Sequence, residues 1–183
     1  MPERTGDEER FASLYNASRA AVVAYCRRRV PGEVVDDVIA EVFLTAWRRI
    51  DQVPSGSELP WLYGVARYVV ANLQRSSIRR SRLAARVLSH GSHAARDVSA
   101  TDAELDRSVL DALAALSPSD QELLRLRAWE ELNSAEIGLV LGIGVSAVDM
   151  RLSRARRRFE RALRAAGSAP LGAAARLAEE GSS

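Results

Sequence analysis

The chain has 183 residues, a formal net charge of +2, 47% apolar residues and a single cysteine. That length holds one domain or two small ones, and the apolar content is too high for a disordered chain. Cys26 alone excludes an internal disulfide framework, no apolar run reaches membrane-spanning length, and the polar, acidic start of the chain does not resemble a signal peptide.

A cytoplasmic protein without membrane insertion fits these features. All 26 basic side chains are Arg. Codon bias toward GC accounts for the missing Lys, but not for where the Arg residues cluster. Arg is suited to phosphate and base-edge recognition.

Apolar residues recur at helical spacing along most of the chain, with almost no strand signal. The first helix is predicted from about Asp7 to Arg29, with Phe11, Leu14, Tyr15, Val22 and Tyr25 on one side and Ser18 filling the gap. Pro31-Gly32 breaks it. The second helix carries Val35, Val38, Ile39, Val42, Phe43 and Ala46 on one stripe and ends near Arg49. Asp51 to Glu58 reads as a loop from its Pro, Gly and Ser. The third helix is predicted to start at Pro60, with a core stripe of Leu62, Val65, Ala66, Val69 and Leu73.

From about Leu83 to Ala103 the periodicity fades, and a flexible linker containing His90 and His93, helical in parts, is expected. Leu105, Val109, Leu110 and Leu113 mark the next helix. Ser117-Pro118-Ser-Asp120 then reads as an N-cap, a first-turn proline and an acid, opening a helix with Leu123, Leu124 and Leu126. Asn133-Ser-Ala-Glu136 is a second capping-box pattern, before Ile137, Val140 and Leu141. The last long helix would pack through Val145, Val148, Leu152, Ala155, Phe159 and Leu163, spaced three and four apart. The tail after Gly167 is expected to fray, with a short helix around Ala173 to Glu179.

The fold class is therefore all-α: two small helical domains joined by a flexible linker, the C-terminal one a helix-turn-helix. The predicted boundaries are 7–82, a linker 83–103, 104–166 and a tail 167–183.

Three groups of residues point to function. With the last helix packed on its apolar stripe, Ser146, Ala147, Asp149, Met150, Arg151, Arg154, Arg157 and Arg158 remain for solvent. A capped helix, the turn Gly142-Ile-Gly144 and a basic helix make the outline of a DNA-reading helix-turn-helix. Early positions of such a helix meet base edges, and later Arg residues meet phosphates. On the third helix, Tyr68, Asn72, Arg75 and Arg79 lie opposite the core stripe, flanked by Trp61. Aromatics beside Arg and Asn can stack on unpaired bases, though an ordinary amphipathic surface is an equal reading. The second helix presents Glu33, Asp36, Asp37 and Glu41. That acidic stripe would repel phosphate and suits a basic protein surface, with a solvated face as the plainer alternative. No cofactor, metal set, nucleophile elbow, phosphate-cradling loop or catalytic triad is found.

Several segments resemble the extracytoplasmic-function (ECF) group of bacterial RNA polymerase sigma factors. Val35-Asp-Asp-Val-Ile-Ala-Glu-Val-Phe-Leu-Thr-Ala-Trp-Arg48 resembles the region 2 helix, and Pro60-Trp-Leu-Tyr-Gly-Val-Ala-Arg67 the start of the minus-10-reading helix. Leu113-Ala-Ala-Leu-Ser-Pro-Ser-Asp-Gln-Glu-Leu-Leu124, Ser134-Ala-Glu-Ile-Gly138 and Ala147-Val-Asp-Met-Arg-Leu-Ser-Arg-Ala-Arg156 resemble region 4.

The resemblance runs in order from about residue 8 to 165 and implies a non-enzymatic subunit that docks on core RNA polymerase. Asp36, Asp37 and Glu41 would meet the β′ clamp helices. The loop 51–58 would capture a base flipped from the minus-10 element, with Trp61, Tyr68, Asn72, Arg75 and Arg79 beside it. The linker would thread toward the RNA exit path. The helix-turn-helix would read the minus-35 element of promoter DNA and rest on the β flap. An anti-sigma protein is expected on resemblance alone.

Four positions depart from the group's usual pattern: Asn72, Gly144, Asp149 and Met150. An acid at Asp149 could accept from cytosine, so the minus-35 preference is expected to be unusual. The tail is too short for a ligand-sensing domain. Two other readings remain at this point: a stand-alone helix-turn-helix regulator, and a metal nuclease built on Asp36, Asp37 and Glu41.

Overall fold

A computed structural model describes the secondary structure of residues 3–87 and 107–165, and the side chains of residues 6–76 and 108–165. The predicted linker beyond Val87, with His90 and His93, and the predicted tail helix lie outside the described residues, as does Leu105. The described residues are helical, with no strand among them. The chain divides into two compact units, 1–99 and 100–183.

The first unit is built from α1 (Glu3–Arg27), α2 (Gly32–Arg48) and α3 (Glu58–Val87). Each packs on the other two. Val22, Tyr25 and Cys26 of α1, Val38, Val42 and Ala46 of α2, and Leu62, Tyr63 and Ala66 of α3 form the buried centre. Ser18 sits within this apolar stripe because its hydroxyl donates to the Leu14 carbonyl at 2.6 Å, satisfying the buried group locally. At one end Phe11, Tyr15, Phe43 and Trp47 make edge-on ring contacts, with Tyr15 and Phe43 centroids 4.7 Å apart. Tyr25 stacks on Tyr63 at 5.0 Å, and the Arg29 guanidinium lies 3.5 Å from the Tyr25 ring centre.

Two expectations change here. The third helix starts at Glu58, two residues before Pro60, because the Ser57 carbonyl accepts from Trp61 N–H and closes the first turn. Pro60 thus lies within that turn, where a missing N–H costs nothing. The helix continues through Val87, so the start of the expected linker is one of its helical parts. Its buried face is Leu62, Tyr63, Ala66 and Val70, whereas Val65, Val69 and Leu73 are only half-buried.

The second unit contains α4 (Arg107–Ala114), α5 (Pro118–Ala128), α6 (Ser134–Leu141) and α7 (Val145–Ala165). The first three all pack on α7. Val148, Leu152, Ala155, Phe159 and Leu163 supply α7's buried stripe. Val145 does not join them: it is 47% exposed at the helix start. Both predicted caps form. Ser117 accepts from Asp120 N–H, and Asn133 and Glu136 make a reciprocal capping box.

Candidate nucleic-acid interface

The angle between α6 and α7 is set by a short turn with little tolerance. Gly142 ends α6 in the left-handed region at φ 67°, where glycine has no steric penalty. The Ile143 N–H then donates back to the Gly138 carbonyl at 3.1 Å. A Cβ on Gly138 would lie 2.8 Å from the Ile143 carbonyl oxygen, so the backbone of the turn passes directly over a residue that must lack a side chain. The Gly144 carbonyl accepts from Ala147 and Val148 and begins α7.

On α7, Ser146, Asp149, Met150, Arg151, Arg154, Arg157 and Arg158 are exposed. Ala147 is half-buried, and its backbone N–H donates to the Gly144 carbonyl. Two charged members of the group are engaged within the unit. The Ser134 hydroxyl donates to Asp149 Oδ1 at 2.6 Å, tying the start of α6 to α7. Arg158 Nη1 lies 2.6 Å from Oδ2 of the buried Asp120 and links α7 to α5. Arg154 Nη2 approaches Met150 Sδ at 3.3 Å, and Arg161 Nε approaches the Arg157 carbonyl at 3.4 Å.

In the first unit, Tyr68 is 64% exposed. Arg75 is exposed, and its guanidinium donates to Asn72 Oδ1 at 2.8 Å. Asn72 and Trp61 are half-buried. The side chain of Arg79 lies outside the described residues. The loop before α3 is anchored from α1, where Arg10 donates to the Val53 carbonyl at 2.6 Å. Gly56 N–H donates to Glu58 Oε1 at 2.9 Å. Backbone hydrogen bonds hold the Glu58 carboxyl below the usual range. Arg10 carries no sequence signal for this role, because its contact spans 43 residues.

Asp36, Asp37 and Glu41 are exposed on α2. Asp37 and Glu41 border an open groove of about 680 Å³ shared with α3, where Val38, Val69, Asn72, Leu73 and Ser76 complete the lining. Val69 and Leu73 are half-buried because they floor this groove. Asn72, expected beside the minus-10 bases, thus also lines the groove that the acidic pair borders. Among the described residues, no cluster of three or more His, Cys, Asp or Glu side chains is placed to hold a metal ion. Nor is any described helix long and apolar enough to cross a membrane.

The fold and these surfaces define a class: an all-helical, two-unit protein in which a three-helix unit with an acidic stripe on α2 is followed by a helix-turn-helix unit. Known proteins make that class specific. The family described as "Sigma-70 region 2" matches residues 14–82. "Sigma-70, region 4" matches residues 106–159. The two together take in well over half of the chain.

The ECF RNA polymerase sigma factor BldN of Streptomyces coelicolor is 30% identical over 87% of this chain and 62% of its own length. This chain thus spans less than two thirds of that relative. The RNA polymerase sigma factor CarQ of Myxococcus xanthus is 28% identical, over 82% of this chain and 87% of its own. The sigma factor RpoE of Bartonella quintana, solved with the anti-sigma factor NepR, shares the fold: TM-score 0.64, 22% identity, 84% of this chain and 96% of that one. So does CnrH, solved with the cytosolic domain of CnrY: TM-score 0.57, 23% identity, 85% and 88%. The chain belongs to the ECF group of the sigma-70 family of RNA polymerase sigma factors.

Proposed function

We propose that this protein binds core RNA polymerase in the cytoplasm and directs initiation at promoters whose minus-10 and minus-35 elements it reads. It supplies no catalytic group, since the core enzyme forms the phosphodiester bond. The observation that carries this reading is the order of the two family matches: region 2 falls on the three-helix unit and region 4 on the helix-turn-helix unit.

The domain boundaries proposed are 7–82 for polymerase docking and minus-10 recognition and 104–166 for minus-35 recognition, joined by 83–103 and followed by the tail 167–183. Asp36, Asp37 and Glu41 present negative charge to the basic side chains of a polymerase surface, the β′ clamp helices. Their exposure and the apolar groove between them and Leu73 support that role. A docking face of this kind gains steering from charge and hold from apolar contact.

Trp61, Tyr68, Asn72, Arg75 and Arg79 are assigned to the melted minus-10 region. Tyr68 has an open ring face for a base, and base–aromatic stacking contributes about 1–3 kcal/mol per base. The segment 51–58, anchored by Arg10 at Val53, takes the flipped base; stacking there offsets the few kcal/mol of unpairing. Region 4 is proposed to rest on the β flap. An anti-sigma protein is a further proposed partner, on family resemblance.

The reading is tested by binding of duplex promoter DNA with and without core polymerase. The full chain is expected to bind weakly alone and tightly, with sequence selectivity, when core is present. Tight selective binding by the chain alone, unchanged by core, would instead identify a stand-alone regulator.

A further inference from the structure

The exposed side chains of α7 do not form one uniform basic face. Successive residues are about 100° apart around a helix. Taking the buried Val148 as origin, Asp149 stands about 100° to one side and is held there by Ser134. Arg158 stands on the other side and is held by Asp120. These two contacts attach the flanks of α7 to α6 and α5. The line between them, facing directly away from the core, runs through Ser146, Met150, Arg154 and Arg157. Met150 lies about 200° from Val148, at its centre, and is 53% exposed.

Three chemistries share that line. The Ser146 hydroxyl donates or accepts and suits either strand. Arg154 and Arg157 fit guanine edges or phosphates. Met150 is the sole large apolar side chain on it; the other exposed apolar residue of α7, Val145, stands beside the turn. In a major groove one base feature is apolar, the 5-methyl group of thymine. An unbranched thioether adapts its three torsions to such a contact. Arg154, one turn further on, already lies against the Met150 sulfur at 3.3 Å. The pair therefore presents a methyl-binding surface and a guanidinium fork to neighbouring base pairs.

We propose that Met150 reads a thymine methyl group in the minus-35 element and that Asp149, held by Ser134, positions α7 and reads no base. The inference rests on the promoter-reading function proposed above. It replaces the expectation that Asp149 accepts from cytosine.

The test uses the full chain with purified core polymerase and a duplex promoter from which that holoenzyme initiates. Deoxyuridine replaces each thymidine of the minus-35 element in turn, on either strand, which removes only the 5-methyl group. At one position the wild-type holoenzyme should lose about three- to fivefold in promoter affinity, the worth of one buried methyl. Met150→Ala should show the same loss on the thymidine duplex and no further loss with deoxyuridine. Asp149→Asn keeps an oxygen to accept from Ser134 and should leave base preference unchanged at every position.

An element without thymine overturns the Met150 assignment. So does a wild-type holoenzyme indifferent to every deoxyuridine, or a Met150→Ala holoenzyme that still responds. Lost preference for a cytosine in Asp149→Asn overturns the positioning role. Absence of any initiation with core polymerase is a separate result, which removes the parent reading and this inference together.

Discussion

The two units expose their charged residues under different constraints. In the first, Asp36, Asp37 and Glu41 stand in solvent on α2, and the unit is held by an apolar centre and an aromatic cluster that do not involve them. In the second, Asp149 and Arg158 stand on a candidate DNA-reading helix and at the same time join it to its neighbours. The charges of Asp36, Asp37 and Glu41 can therefore be exchanged without touching the fold. A charge on the flank of α7 cannot, because removing it also releases its partner.

Variants can break that contrast, and the largest effect is expected where backbone geometry is involved. Gly138→Val places a branched side chain where even a Cβ meets the Ile143 carbonyl oxygen at 2.8 Å. Loss of about 3 kcal/mol of unfolding free energy is expected, since overpacking with a forced backbone shift costs about 1–3 kcal/mol or more. Urea denaturation of the full chain measures it; unchanged stability would mean the turn is freer than its contacts indicate.

Next is Arg158→Ala, which strips a buried Asp120 of its ion pair. A loss of about 1–3 kcal/mol is expected, the cost of leaving a buried polar group unsatisfied. Arg157→Ala, by contrast, should stay within about 0.5 kcal/mol of wild type. Its effect should fall instead on DNA binding, as a salt slope reduced by about one. Equal stability of the two variants would show that the Arg158 contact holds nothing.

The first unit provides the opposite case. Asp37→Ala with Glu41→Ala should lower affinity for core polymerase about tenfold, as for charges across a complementary interface. The midpoint of denaturation should not move. Unchanged affinity for core would remove the docking role of this face.

Confined to alkaline solution is a dependence on pH. Burial pushes the Cys26 thiol up to about 11, against the opposing pull of Arg29. Below its ordinary value of 9.0 the thiol keeps its proton whether the chain is folded or unfolded, so it contributes no pH dependence there. Between 9.0 and about 11 only the unfolded chain releases it, and stability falls as pH rises. Cys26→Ala should remove that part of the fall. Equal slopes for both proteins would show that the thiol titrates normally.

The same contrast explains how much of the molecule was legible in the sequence. Capping patterns are local, so Ser117 and the Asn133–Glu136 box were readable and form as expected. So was the three-and-four spacing of Val148, Leu152, Ala155 and Phe159. The face of α3 was less readable. Val65, Ala66, Val69 and Val70 are all small and apolar, and only packing decides that Ala66 and Val70 go inward while Val69 floors a groove. Contacts between distant residues left no pattern at all: Ser134 with Asp149, Asp120 with Arg158, and Arg10 with Val53. Exposed charge on α7 was visible in the sequence, but its engagement within the unit was not.

The most direct test of the central claim is run-off transcription on pooled genomic fragments, using purified core polymerase with and without this protein. The account predicts discrete transcripts that appear only when the protein is added, with start sites that share minus-10 and minus-35 elements. An unchanged transcript pattern, with core that binds the protein no better than an unrelated one, would contradict it.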